Sequence, residues 1–115
     1  MDDALEKALE FSNFTATLNN QKRILHEKYT EELGLYYCGG KFTVTKELLT
    51  FCHLLLSKDI SKTVVIDDNN SPIQIDDIDD FMTVSLQQYA TAANKYFAHY
   101  KELSTKRSVE GLADV

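Results

Sequence analysis

The chain has 115 residues, 43% of them hydrophobic and 26% charged, and eighteen acids against twelve bases leave a net charge of -6. That make-up predicts one soluble domain with a core large enough to stand without disulfide or metal staples. It disfavours generic attraction to phosphate backbones, and no apolar run approaches the length of a membrane span.

Residues 2 to 33 are predicted as a first helix. Asp2 or Asp3 would accept hydrogen bonds from the free amides of its first turn and suit the positive end of its dipole. Ala4, Leu5, Ala8, Leu9 and Phe11 begin an apolar stripe that Phe14, Leu18, Leu25, Tyr29 and Leu33 continue. Between Ser12 and Thr17, short polar side chains compete with the backbone for hydrogen bonds, so one bent helix and two short ones both fit. Gly34 follows the last stripe residue as a stop signal.

Short strands are expected over about 35–44, with Leu35-Tyr36-Tyr37-Cys38 and Lys41-Phe42-Thr43-Val44 flanking a glycine turn at Gly39-Gly40. Thr45 is a cap for a helix over about 45–57. Its Leu48, Leu49, Phe51, Cys52, Leu54, Leu55 and Leu56 are apolar nearly all round, the pattern of an interior helix. Thr63-Val64-Val65-Ile66 and Ile73-Gln74-Ile75 then flank Asp67-Asp68-Asn69-Asn70-Ser71-Pro72, which predicts a hairpin over about 63–75. Pro72 cannot donate to a ladder and marks a loop edge or a sheet edge.

The longest element comes last, over about 77–107, capped by Asp76 or Asp77 and closed by Lys101, Lys106 and Arg107. Ile78, Met82, Ser85, Tyr89, Ala92, Tyr96, His99 and Leu103 recur at alternating spacings of four and three, keeping one face towards a partner. Phe81, Leu86, Ala93, Phe97 and Tyr100 widen that face beyond what one antiparallel neighbour covers. Counted from Asp76, such a helix runs roughly 48 Å and needs a partner of similar length. Residues 108–115 read as a short tail. The sum is a single α+β domain, mainly helical: two long helices packed antiparallel, a short buried helix and a small β-hairpin sheet at one end.

Candidate chemistry is thin. Six acids and no base lie between Asp67 and Asp80, but fitting Asp68, Asn70 and Asp79 to a calcium loop puts Ile73 where glycine is obligatory and Pro72 where a ligand is needed. His26, His53 and His99 have no zinc-ligand spacing with Cys38 and Cys52, and no nucleophile elbow accompanies any Cys–His pair. The two cysteines are expected as unpaired thiols in apolar surroundings and a reducing compartment. The start, Met1-Asp2-Asp3-Ala4-Leu5-Glu6, lacks the pattern of a secretory signal. Gly39-Gly40 lacks the rest of a phosphate loop. The aromatic residues come without a cationic groove, so they read as core and interface rather than base-stacking platforms. No catalytic, cofactor-binding or metal-ligating residue is expected. Tyr89, Tyr96, Phe97 and Tyr100 are the candidate interaction residues.

From the residues alone, the expected function is a non-enzymatic protein–protein interaction module that self-associates through its long helices. The alternative is an acidic regulator or inhibitor whose carboxylates occupy the basic groove of an enzyme that handles nucleic acid. Partners would be a second copy or another protein, without nucleic acid, membrane or cofactor. The segment from Tyr36 to Leu49, the hairpin from Val65 to Ile73 and the ending Lys106-Arg107-Ser108-Val109-Glu110-Gly111-Leu112 resemble small proteins of large contractile-tailed phages, especially those of marine cyanobacteria. The resemblance covers nearly the whole chain. It implies a phage gene product acting in the infected bacterium or in the virion, so the interaction module is expected as an assembly or virion component, and the alternative as a regulator of a host or phage enzyme, in the host cytoplasm or the virion. It implies no active-site residue.

Overall fold

A computed structural model of the chain describes residues 3–106. Its elements in order are α1 (Asp3–Glu32), β1 (Gly34–Tyr37), β2 (Gly40–Thr43), α2 (Lys46–Ser57), β3 (Thr63–Ile66), β4 (Pro72–Ile75) and α3 (Ile78–Lys106). This is the mainly helical α+β arrangement that the sequence predicts, with α1 and α3 packed against each other. The expectations for Asp2, Arg107, the Lys106 side chain and the tail lie outside the described residues. The chain forms two compact units: Thr30–Ala93, and one built from its two ends, within the described residues 3–29 and 94–106.

In Thr30–Ala93, β1 and β2 pair antiparallel from Gly34↔Thr43 to Tyr37↔Gly40. The turn between them is Cys38 (φ 50) and Gly39 (φ 81), both left-handed as a two-residue hairpin of type I′ demands. The turn therefore sits one residue earlier than Gly39-Gly40. Cys38 is at its exposed tip, not in apolar surroundings. Gly40 is instead the first residue of β2. A Cβ there would come 2.6 Å from Ile73 Cγ1, so glycine lets the second hairpin approach the first. β3 and β4 pair from Thr63↔Ile75 to Ile66↔Pro72.

The core of this unit gathers Phe42, Cys52, Val65, Ile75, Ile78 and Phe81. The Phe81 ring lies 4.9 Å from that of Tyr37 and 5.0 Å from that of Phe42, centroid to centroid. Thr45 caps α2 by accepting from the Leu48 N–H at 3.0 Å, as expected. The helix is less enclosed than its composition predicts. Cys52 is buried, but Phe51 is 44% exposed and Leu54 is exposed too, because core partners cover only one of its faces. At the start of α3 the cap is Asp77, which accepts from the Asp80 N–H at 3.0 Å. Asp76 instead forms an exposed ion pair with Lys62 at 3.4 Å.

In the other unit, Tyr29 stacks on Tyr96 at 4.8 Å, and Lys22 Nζ sits 5.8 Å from the Tyr100 ring centroid. Moving back along α1 thus moves forward along α3, so the pair is antiparallel. Leu18 and Leu103 are buried, and Phe14, Leu25, Tyr96 and His99 are half-buried. The polar stretch from Ser12 to Thr17 does not break α1. Thr15 Oγ1 donates to the Phe11 C=O at 3.0 Å, which satisfies the hydroxyl inside the helix. Phe11 continues the buried stripe by three residues before Phe14, yet it is 66% exposed, and Leu5 and Leu9 are exposed as well.

Candidate functional site

The eight-residue stripe of α3 is placed as its spacing predicts. Ile78, Ser85, Ala92 and Leu103 are buried, while Met82, Tyr89, Tyr96 and His99 are half-buried. The flanking set divides. Phe81 is in the core and Ala93 is half-buried, whereas Leu86, Phe97 and Tyr100 are exposed, Phe97 by 68%. Of the four candidate interaction residues, Tyr96 is taken up by Tyr29 and meets Tyr100 edge-on at 6.2 Å. Tyr89 is half-buried. Phe97 and Tyr100 present large ring surfaces to solvent, a position that a partner can cover.

The acidic run serves the fold. Asp67, nearly buried, accepts from the backbone N–H groups of Ser71 at 2.8 Å, Asn69 at 2.9 Å and Lys41 at 3.1 Å. The bond from Ser71, with those from Lys41 and Asn69, holds its carboxyl below the usual carboxylate range against the opposing effect of burial. Asp68 accepts from the Thr43 hydroxyl at 2.6 Å and the Thr43 N–H at 3.2 Å. Asp80 accepts from the Tyr37 hydroxyl at 2.6 Å, and that bond, aided by burial and the charge of Asp80, pushes the phenol pKa well above its ordinary value. No group of three or more His, Cys, Asp or Glu among the described residues could hold a metal ion.

The cysteines differ from each other. Both are free thiols; Cys38 is exposed, and burial pushes the Cys52 thiol up. Among the described residues each unit has an open cleft. Gln21, Leu25, His99 and Leu103 help to line a space of about 320 Å³ between α1 and α3 in the unit of the chain ends. In Thr30–Ala93, a cleft of about 490 Å³ lies beside α2 and β3, with Phe51, Val64 and Ile66 on its walls. Sequence reasoning placed those three residues in structural elements and saw no surface in them, because alternation along β3 says which residues face apart and not which face is covered.

No family model matches the chain, and neither does any curated protein or solved structure.

Proposed function

We propose that the chain is a non-enzymatic protein–protein interaction module that self-associates through its long helices, as a phage assembly or virion component. The observation that carries it is the large apolar surface left open on α1 and α3. Phe97 and Tyr100 are exposed on α3, and Leu5, Leu9 and Phe11 are exposed on α1. Phe11 lies in register with the side chains that α3 covers further along, so a second copy offering an equivalent helix face suits it. The phage setting rests on the resemblance carried by Tyr36–Leu49, Val65–Ile73 and Lys106–Leu112.

The alternative, an acidic inhibitor, draws less support. Asp67, Asp68, Asp76, Asp77 and Asp80 all hold hydrogen bonds or ion pairs within the chain, which leaves few carboxylates of the run to fill a basic groove. The test of self-association is substitution on the exposed rings. Phe97→Asp or Tyr100→Asp should dissociate the assembly and leave the helical circular-dichroism signal mostly intact. An assembly that survives both changes contradicts the proposal.

A further inference from the structure

The outer edge of β3 and the cleft beside it are left open by the fold of Thr30–Ala93. Just past the Ile66↔Pro72 pair, the Asp67 N–H donates to the Ser71 C=O at 2.9 Å. Bonded and non-bonded pairs alternate along an antiparallel ladder, so Val65↔Ile73 and Thr63↔Ile75 are the bonded pairs. Val64 and Ile66 therefore turn their backbone N–H and C=O outward, where no partner receives them among the described residues.

Each of the other strand edges carries at least one device against pairing, although Tyr36 of β1 and Gln74 of β4 also turn backbone groups outward. On β2, the Lys41 N–H donates to Asp67 Oδ2 at 3.1 Å, and the Lys41 C=O accepts from the Asp68 N–H at 2.8 Å. The Thr43 N–H donates to Asp68 Oδ1 at 3.2 Å. On β4, Pro72 occupies an outward position and has no N–H to offer. On β1, the Gly34 C=O accepts from Gln88 Nε2 at 3.2 Å. β3 has no such device: its four residues are Thr63, Val64, Val65 and Ile66, uncharged and β-branched throughout.

The cleft of about 490 Å³ is lined by Val64, Val65 and Ile66 of β3 together with Phe42 and with Phe51 of α2. Phe51, Val64 and Ile66 are 44%, 51% and 58% exposed. The two charged residues lining it, Glu47 and Asp68, are both acids.

We propose that this cleft binds an extended peptide segment of another protein, added to β3 as a further strand. The segment carries β-branched or other apolar side chains at alternate positions and a Lys or Arg towards Glu47. Pairing with the N–H and C=O of Val64 and Ile66 gives the backbone register. Phe51 supplies an apolar wall for alternate side chains, and the negative charge of the lining, Glu47 foremost, favours a basic segment over an acidic one. The site lies wholly within Thr30–Ala93 and stands whether or not the helices self-associate.

The test is a titration of the full, isotope-labelled chain, read from its backbone amide resonances, with three blocked pentapeptides. One is Arg-Val-Thr-Val-Arg, one has Glu in place of both Arg, and one is the basic peptide with alternate amides N-methylated. The basic peptide should shift the Val64 and Ile66 amides saturably. The acidic and N-methylated peptides should bind at least about ten-fold more weakly, a difference of about 1.4 kcal/mol. Ile66→Pro removes one outward N–H without touching the β3–β4 ladder, and Phe51→Ser removes the exposed wall without adding a charge; each should weaken binding by a similar factor. Should Ile66→Pro fail to fold, Phe51→Ser, at an exposed position, still decides. Unshifted Val64 and Ile66 amides, equal binding of the acidic peptide, or full binding by Phe51→Ser would each overturn the proposal.

Discussion

Two phenylalanines that look alike in sequence should differ several-fold in what they contribute to stability. Phe81 is fully buried, and its ring meets those of Tyr37 and Phe42 at 4.9 and 5.0 Å. Phe81→Ala removes that burial and leaves a cavity between two rings and two hairpins, which costs about 3–5 kcal/mol. Phe51, on the apolar helix α2, is 44% exposed. Full burial of such a side chain is worth about 1.5–3 kcal/mol, so Phe51→Ala should cost only about 1 kcal/mol, with no closed cavity to add. In urea, with a slope of about 2 kcal/mol per molar, the midpoint should fall by about 2 M for Phe81→Ala and about 0.5 M for Phe51→Ala, the slopes unchanged. Circular dichroism followed through urea unfolding measures both. Equal midpoint losses, or the larger loss at Phe51, would mean that α2 and not the Phe81 cluster anchors the core.

Three further outcomes are expected. Cys38 should react with a thiol reagent in the native protein, while Cys52 reacts only on unfolding, and the mass of unreduced protein should lack the two-dalton deficit of a bridge; equal native rates would contradict the placement of Cys52. Asp67 has a depressed folded pKa, so the stability that it contributes is complete above the unfolded value of about 4 and is lost as pH falls through the folded one. Asp67→Asn should therefore flatten the acid limb of a melting-temperature profile, and an unchanged limb would refute that role. Ser85 is fully buried, and its Oγ has no hydrogen-bond partner among the described residues. Removing an unpaired buried hydroxyl spares its desolvation cost, so Ser85→Ala should leave stability unchanged or raise it by about 1 kcal/mol, and a clear loss in the same urea assay would reveal a missing hydrogen bond.

Much of this fold is written in local pattern. The alternating spacing of Ile78 to Leu103 identifies the covered face of α3 residue by residue, and Thr45 caps α2 as its type and position suggest. The rest depends on contacts between distant segments. Cys38-Gly39-Gly40 offers two ways to place a two-residue turn, and the close approach of Ile73 to Gly40 is a tertiary fact that decides between them. The apolar circumference of α2 shows what could be buried, but only the neighbours in space determine which face is. The acids at 67 and 68 read as a solvated turn or a failed cation loop. Their use as acceptors for Lys41 and Thr43 has no local signature, because those strand residues lie 26 and 25 positions away. The exposed rings on α3 were legible as excess width of the stripe, whereas the β3 edge was not, since edge status belongs to sheet topology.

The most direct test of self-association is the mass of the native particle, measured by light scattering on the unmodified protein over a wide concentration range. The account predicts a mass at or above twice 13.1 kDa that falls on dilution or on introducing Phe97→Asp. A 13.1 kDa monomer at every concentration, with no partner present, would contradict it.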